Sequence, residues 1–223
     1  GAAMPAALSS ESIVVLALLT PFVGALLLPL FHRLPDLRET VTLLTAAALC
    51  LIVLGLLGPV LNGARPELGV IDVVPGLTIA FKVEPLGMLF ALVASSLWIV
   101  NSIYSIGYMR ANDEPGQTTF YVCFAVALGS TIGIAFAENL FTLFLFYEAL
   151  TLSTYPLVTH KRNEEAIRAG RTYLVLLLGT SLLLFLPAII ATWVLAGTLD
   201  FRPGGIFPAD TGAPVIAALL VLY

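Results

Sequence analysis

One glutamate lies inside a long apolar run, where an ionised side chain is energetically unfavourable. Glu148 lies near the middle of residues 140–158, a segment otherwise dominated by apolar and hydroxyl-bearing side chains. A carboxylate at the centre of a bilayer costs about 2.5–3.5 kcal/mol on insertion scales, so such a residue calls for a function or a partner. Burial favours the protonated carboxyl, whereas a nearby cation favours the ionised one. A carboxyl held between these two effects can take up and release a proton.

Two hydroxyl groups share a helix face with this acid. Thr151 and Tyr155 follow Glu148 at i+3 and i+7, the spacing of one helical face. We interpret the stripe as a proton-handling carboxyl with two supporting hydroxyls. The alternative is a structural glutamic acid, protonated and hydrogen-bonded across a helical bundle. Just beyond, His160 and Lys161 form a candidate proton entry, since histidine changes charge near neutral pH; their charged loop is also typical of a segment that only fixes topology.

Two further patterns favour helix packing. A second polar stripe recurs at helical spacing: Asn101, Tyr104, Ser105 and Tyr108. Such side chains commonly join membrane helices by hydrogen bonds, and we favour that role over lining a water path. Gly129 and Gly133 form a G-x-x-x-G pattern, which predicts close approach of two helices.

The composition excludes most soluble classes of protein. Of 223 residues, 59% are hydrophobic and 11% are charged, against roughly 45–50% and about 25% in soluble domains. A net charge of −4 argues against a nucleic-acid partner. No phosphate-binding loop, haem or iron–sulfur ligand set or Ser/His/Asp arrangement is found, and the two cysteines and two histidines lack metal-ligand spacing. We expect no cofactor, no metal, and no redox or hydrolytic centre, which favours an ion-transporter subunit over an enzyme.

The elements that carry these residues are membrane helices. The sequence predicts an all-α transmembrane bundle of about seven helices, the last one truncated, with a small surface β-hairpin between the second and third. The transmembrane domain covers residues 13–223 after a tail over 1–12, in which residues 1–3 precede Met4 and resemble a cloning scar. The predicted spans are 13–31, 41–61, 85–108, 119–136, 140–158, 172–195 and 214–223, and the hairpin loop is 62–84.

The basic residues predict an orientation. Loops one, three and five of a seven-span chain share one membrane face and hold seven of the ten Lys and Arg residues; the other loops hold three. By the positive-inside rule the first face is cytoplasmic, and the N-terminus is therefore outside.

Three stretches resemble a known family. AENL at 137–140 and FYEALTLSTYPLV at 146–158 resemble the fifth helix of antiporter-like membrane subunits. EAIRAGRTYL at 165–174 looks like that family's entry into its sixth helix, and VEPLGMLF at 83–90 resembles the start of its third. The family includes the D-type and A-type subunits of Mrp sodium/proton antiporters and the proton-pumping subunits of complex I and membrane-bound hydrogenases. Residues 147–161 look closest to the Mrp D-type subunits.

The resemblance implies a fold and a role for the acid. Family members have about fourteen helices, with two inverted five-helix repeats that each contain a broken helix. Glu148 aligns with the family's fifth-helix glutamate, which pairs with a lysine on the seventh helix and passes protons along a central polar axis. The sequence stops at Tyr223, before that lysine would appear, and Lys82 and Lys161 lie in predicted loops. We therefore expect the N-terminal portion of such a subunit.

These expectations combine into one leading hypothesis. The chain is part of a proton or sodium/proton translocating subunit of a multi-subunit Mrp-type or complex I-like assembly in a prokaryotic cell (inner) membrane. Its expected partners are other membrane subunits, the lipid bilayer, protons and Na⁺. The first alternative is a non-conducting membrane scaffold subunit of such a complex; the second is an enzyme subunit that helps to form a quinone pocket. The coupling ion and the energy source are left open by the sequence.

Overall fold

The architecture is a helical bundle capped by one hairpin. The computed structural model describes residues 10–74, 77–111, 116–158, 164–201, 207 and 211–223. In this part of the chain the helices are α1 (Ser10–Leu27), α2 (Pro35–Leu61), α3 (Pro85–Ala111), α4 (Gln117–Phe136), α5 (Leu140–Val158), α6 (Glu164–Thr180), α7 (Leu186–Ala196) and α8 (Ala213–Leu222). The strands are β1 (Glu67–Val74) and β2 (Leu77–Lys82). A 3₁₀ turn, Leu28–Phe31, follows α1, and a π-helical turn, Ser181–Phe185, joins α6 to α7.

Among the described residues, six helical segments are long and apolar enough to cross a membrane. The sixth of them, Ile167–Ala196, runs through α6, the π turn and α7 without a break. A seventh apolar helix, α8, has ten residues. The predicted all-α transmembrane bundle with a small hairpin between the second and third spans is thus confirmed.

The core lies where α1 to α4 meet and extends under the hairpin. Its largest fully buried side chains include Trp98, Phe136 and Met88, and Phe81 and Val83 join the same cluster from β2 and the residues after it. Apolar side chains also cover much of the outside, with more than 70% of each exposed at Leu26, Leu61, Leu86, Val194 and Val221. A bundle that is apolar on both its inner and outer faces requires lipid around it.

The hairpin is hydrogen-bonded to the turn between α4 and α5. β1 and β2 pair antiparallel, with Glu67 opposite Lys82 and 3.5 Å between Oε1 and Nζ. The backbone N–H of Glu138 donates to the carbonyl of Ala80 (3.0 Å), and the N–H of Phe201 donates to the carbonyl of Glu138 (3.0 Å). The turn thus lies between β2 and the segment after α7, and we call this part of the molecule the hairpin end.

The charged segment before the sixth span is more helical than the sequence predicts. Residues 160–171 are predicted as a loop, whereas α6 begins at Glu164. Glu165 lies in the first turn, where a negative charge is favoured by the helix dipole. Arg168 and Arg171 are spaced three residues apart and are both exposed, so the charged face of this helix meets solvent or headgroups.

A π-helical turn lies within the sixth span, just before a proline. Pro187 has no N–H to donate, and its ring crowds the carbonyl of residue 183, so one regular hydrogen bond of the α-helix is lost at this position. The wider turn at Ser181–Phe185 absorbs the mismatch. It presents the ring of Phe185 to Phe144 (5.8 Å between centroids), Tyr147 (6.0 Å) and Tyr223 (5.4 Å), which links α5 to α7 and α8.

Candidate functional site

The first turn of α5 is fixed by a buried asparagine. Asn139 precedes the helix, and its Oδ1 accepts a hydrogen bond from the backbone N–H of Thr142 (2.8 Å). This is an N-cap, which satisfies one of the unpaired donors at a helix start. The same side chain donates through Nδ2 to the carbonyl of Thr78 in β2 (2.7 Å). Asn139 therefore sets where α5 begins relative to the hairpin.

Two further contacts hold α5 in place. The hydroxyl of Thr142 is fully buried and accepts a hydrogen bond from the backbone N–H of Ala80 (3.0 Å). One turn later the ring of Phe146 packs edge-on against Phe81 (5.5 Å between centroids) and directly against Gly133 of α4. With its first two turns anchored in this way, α5 carries the following turn to a defined position in the bundle.

Glu148 lies in that following turn, in the middle of the 19-residue helix. The residue is half-buried, and its Oε1 is fully buried without a hydrogen bond to any residue that the structure describes. A buried carboxylate oxygen without a donor is costly, because it has lost its water and gained no partner. Such an atom is therefore where a proton, a cation or a donor from elsewhere would be held.

Thr151 and Tyr155 lie on the same face of α5 as Glu148, because the helix runs unbroken through all three. Thr151 is buried, and its hydroxyl donates to the carbonyl of Tyr147 one turn earlier (3.1 Å). Its lone pairs remain able to accept, but its proton is used within the helix. Tyr155 is half-buried. The structure thus places Glu148, Thr151 and Tyr155 on one face of α5, and Oε1 of the carboxyl accepts a hydrogen bond from neither hydroxyl. His160 and Lys161 lie outside the described residues.

Sequence reasoning missed the links from α5 to the sixth span. The hydroxyl of Thr154 lies 2.9 Å from the hydroxyl of Tyr173, which ties the C-terminal half of α5 to α6. Tyr147, directly before the acid, touches Phe185 in the π turn. The sequence does show hydroxyl-bearing residues at 151 and 154 and a proline at 187. None of these residue types predicts which residue of the sixth span would contact α5.

The bundle end opposite the hairpin carries a second polar cluster, which we call the Arg110 network. Arg110 closes α3 and contacts two carboxylates of α2: Asp36, at 2.5 Å, and Glu39, whose side chain is almost completely buried. The guanidinium thus bridges two acids one turn apart, and it joins the end of α3 to the start of α2.

Arg38 extends this network to α4. Its guanidinium is buried and donates to the hydroxyl of Thr118 (3.0 Å) and to Oε1 of Gln117 (2.9 Å). It also lies over the ring of Tyr121, 5.6 Å from the centroid, and Nδ1 of His32 contacts the same Thr118 hydroxyl (2.9 Å). From the sequence, Arg38 and Arg110 are predicted only to help set the orientation of the chain in the membrane. The structure adds that they join α2, α3 and α4 at one end of the bundle.

A cavity of about 260 Å³ opens at the hairpin end beside Glu138. Its polar lining comes from Lys82, Glu84 and Glu138. Partial burial raises the pKa of Glu138 above the usual carboxyl range, and the carboxylates of Glu67, Asp200 and Glu84 raise it further, while Lys82 opposes them. Within the described residues, no group of three or more His, Cys, Asp or Glu side chains has the arrangement of a metal site.

Fold and site together define a multi-pass helical membrane protein whose fifth helix carries a half-buried glutamate. A family model described as "NADH:quinone oxidoreductase/Mrp antiporter, TM" matches residues 137–209, which contain α5 and the acid. A relative in Staphylococcus aureus (strain bovine RF122 / ET3-1), the Na(+)/H(+) antiporter subunit A1, is 29% identical over 91 residues. That match covers 41% of this chain and 11% of the relative.

Two solved structures share the fold. A chain of the membrane-bound sulfane sulfur reductase, an archaeal respiratory membrane complex, superposes with a TM-score of 0.71 at 18% identity, over 85% of this chain and 29% of that one. A chain of the Mrp complex from Dietzia sp. DQ12-45-1b gives 0.70 at 18% identity, over 86% and 35%. These matches confirm the predicted resemblance to antiporter-like membrane subunits. The chain spans about a third or less of the relatives and neighbours it matches, and the finer D-type assignment stays a prediction.

Proposed function

We propose that the chain is part of a proton or sodium/proton translocating subunit in an assembly of several membrane subunits, of the Mrp or complex I type. Glu148 is its proton-handling carboxyl. The observation that carries this proposal is the buried Oε1 of Glu148, which lies in the middle of a membrane helix and has no hydrogen-bond partner among the described residues. Support comes from the family model, whose matched residues include this helix.

The chemistry at Glu148 is proton uptake and release inside the membrane. When protonated, the carboxyl is neutral and tolerates the apolar bundle; when ionised, it requires a cation or a proton donor close to Oε1. The resemblance implies that a lysine on a seventh helix supplies that charge. Thr151 and Tyr155 would then accept or relay hydrogen bonds along the same face. Entry of protons by His160 and Lys161 is part of this proposal.

The expected setting follows from the same resemblance, and the expected orientation follows from the distribution of the basic residues. The chain would lie in a prokaryotic cell (inner) membrane with its N-terminus outside, beside other membrane subunits, and it would move protons, exchanged for Na⁺ in an antiporter. The Arg110 network then lies at the cytoplasmic end and the hairpin end lies outside.

Replacing Glu148 in the intact complex tests the proposal. We expect Glu148→Gln to lower ion-driven proton flux in everted membrane vesicles at least tenfold, because the amide keeps the shape of the side chain but cannot ionise. Glu148→Asp should retain more flux than Glu148→Gln. Glu165→Gln is the matched control, because that carboxylate is exposed at the start of α6, and it should leave the flux unchanged.

Assembly must be measured in the same vesicles, for example by native gel electrophoresis. Full assembly with lost flux supports proton handling. Normal flux in assembled Glu148→Gln overturns it and favours the scaffold hypothesis. Failure of Glu148→Gln to assemble, with normal assembly of Glu148→Asp, would instead identify a structural acid.

A further inference from the structure

Two side chains at the start of α5 bind the strand β2 in addition to the helix itself. Asn139 exposes 3% of its surface, and Thr142 exposes none. Nδ2 of Asn139 donates to the carbonyl of Thr78, and the hydroxyl of Thr142 accepts from the N–H of Ala80. An N-cap needs only an acceptor for its own helix. The hydrogen bonds to β2 are therefore additional to those that begin the helix.

The same turn is also held from its other side. The N–H of Leu140 donates to the carbonyl of Leu199 (3.0 Å), and Asn139 forms an isolated antiparallel bridge with Asp200. Leu199 follows α7 and packs with Phe144 of α5 in a small apolar cluster. The start of α5 is therefore fixed between β2 and the segment after α7.

No break in the helix separates this turn from the acid. α5 is one helix from Leu140 to Val158, and its proline, Pro156, comes after Glu148. The nine residues from Asn139 to Glu148 correspond to about 13 Å along the axis and about two and a half turns. A shift or rotation of the first turn is therefore carried to the carboxyl. Because Oε1 of Glu148 is fully buried in a residue that is half-buried, such a movement would change the burial of that atom.

The charged groups on the elements that pack against α5 lie toward its ends. The helices α4 and α7 contain no Asp, Glu, Lys, Arg or His. β2 ends in Lys82, and α6 has its charged residues in its first two turns: Glu164, Glu165, Arg168 and Arg171. The other titratable side chains on α4, α5 and α6 are weak acids: Tyr121, Cys123, Tyr147, Tyr155 and Tyr173. The depth and rotation of α5 therefore decide what surrounds the carboxyl.

We propose that Asn139 and Thr142 are positioning residues for Glu148. By joining the first turn of α5 to β2, they set the depth and rotation at which the carboxyl is held in the bundle. The hairpin then acts on the acid through α5, from the hairpin end of the molecule. This inference rests on the proposed function of Glu148, but its test measures the carboxyl itself and not ion flux.

Carbodiimide labelling of Glu148 in membrane vesicles that contain the assembled complex tests the proposal. N,N′-dicyclohexylcarbodiimide reacts with protonated carboxyls in apolar surroundings, and mass spectrometry of the peptide that contains Glu148 gives the yield at each pH. Thr142→Val keeps the shape of the side chain but removes the acceptor for Ala80. Asn139→Ser keeps a cap but is too short to reach Thr78. We expect each variant to shift the pH of half-maximal labelling by about half a unit or more, which is about a threefold change in the protonation equilibrium.

Two controls separate positioning from loss of stability. Thr142→Ser retains the hydroxyl and should keep the labelling profile of the unmodified complex. Arg38→Met removes buried hydrogen bonds at the opposite end of the bundle and should also leave the profile unchanged.

Unchanged profiles in both Thr142→Val and Asn139→Ser would overturn the proposal, as would an equal shift in Arg38→Met. Failure of both variants to assemble would also overturn it, because the two residues would then be needed for folding alone. The proposed function fails on a different observation, which is normal flux in assembled Glu148→Gln.

Discussion

At the scale of single residues, two glycines of α4 allow aromatic rings of two different helices to approach the backbone. A Cβ on Gly129 would lie 2.8 Å from the ring of Phe22 in α1, and a Cβ on Gly133 would collide with the ring of Phe146 in α5. The second contact is next to the site, because Phe146 precedes Glu148 by two residues. The depth of α5 in the bundle therefore depends on the missing side chain at position 133.

Gly133→Ala should destabilise the protein. The added methyl must push the Phe146 ring away from its packing on Phe81, and overpacking of this kind costs about 1–3 kcal/mol. Gly107→Ala is the matched control in α3, because no atom lies within 4 Å of the position that a Cβ would take there, and alanine is favoured in a helix by up to about 1 kcal/mol. Thermal unfolding in detergent should show a lower Tm for the first variant and an equal or higher Tm for the second. Equal shifts in both would contradict the packing argument.

Residue types and spacing identify the acid but not its surroundings. The sequence places Glu148, Thr151 and Tyr155 on one face because an α-helix has a fixed period. It cannot show that the hydroxyl of Thr151 donates within its own helix, or that Oε1 of Glu148 has no donor among the residues the structure describes, because both depend on which neighbours pack there. In the same way, the sequence groups Tyr104 and Ser105 in one polar stripe of α3, but packing leaves Tyr104 exposed and buries Ser105.

At the scale of elements, the hairpin end behaves as one unit. β2, the turn at 137–139 and the segment at 199–201 are joined by backbone hydrogen bonds and by the Asn139 side chain. The sequence predicts the hairpin and the tight turn separately, from β-branched runs and from turn residues. Their pairing is between segments distant in the chain, which local patterns do not encode.

Stability of the hairpin end should fall as pH rises above the ordinary carboxyl range. The folded-state pKa of Glu138 is raised, first by burial and then by Glu67, Asp200 and Glu84, with Lys82 opposing. The protonated form is therefore favoured on folding, so its stabilisation is complete below about pH 4.5 and is lost as pH rises through the folded-state pKa.

Glu138→Gln tests this dependence. The neutral amide should raise Tm at neutral pH by on the order of 2 °C, and the difference from the unmodified chain should shrink below about pH 4.5. Glu165→Gln, exposed at the start of α6, should not alter the pH profile of Tm. A Glu138→Gln profile parallel to that of the unmodified chain would contradict the assignment.

The Arg110 network joins three helices at the other end of the bundle. Arg38→Met should destabilise the protein by about 1–3 kcal/mol, because it removes the hydrogen bonds that the buried guanidinium donates to the Thr118 hydroxyl and to Oε1 of Gln117. Arg33→Met removes the same charge from an exposed position and should change Tm little. Chemical or thermal unfolding of both variants measures the difference; a similar loss in both would mean that charge, and not the buried contacts, is responsible.

At the scale of the whole molecule, the loops alternate between two ends. Contacts of α2 with α3 and α4 gather Asp36, Arg38, Arg110 and Gln117 at one end. The hairpin and the α4–α5 turn gather at the other. This alternation follows from the number and length of the apolar runs. The bundle could therefore be predicted from the composition and from the charged and turn residues that separate the runs. Which end faces the cytoplasm is a separate question that the basic residues address.

Labelling of two cysteines that flank α2 tests the orientation. With Cys50 and Cys123 replaced by Ala, Asn62→Cys at the hairpin end should react with a membrane-impermeant maleimide in intact cells. Leu34→Cys, at the opposite end of the same helix, should react only after permeabilisation, because the positive-inside rule places that end in the cytoplasm. The reverse pattern would overturn the proposed outside location of the N-terminus.

The π turn at Ser181–Phe185 has a consequence for the phase of the sixth span. A π turn inserts one extra residue into the helix, and one residue corresponds to about 100° of rotation. A helical wheel drawn through the whole span therefore assigns the wrong side to α7, whose Ala188, Ile189 and Thr192 are the buried positions. Because the turn absorbs that extra residue, deleting one residue from it would keep the buried side of α7 toward α5, where Ile189 packs with Phe144. Deleting one residue from the regular part of α6 would instead rotate the two halves of the span against each other by about 100°, with the length and hydrophobicity of the span almost unchanged.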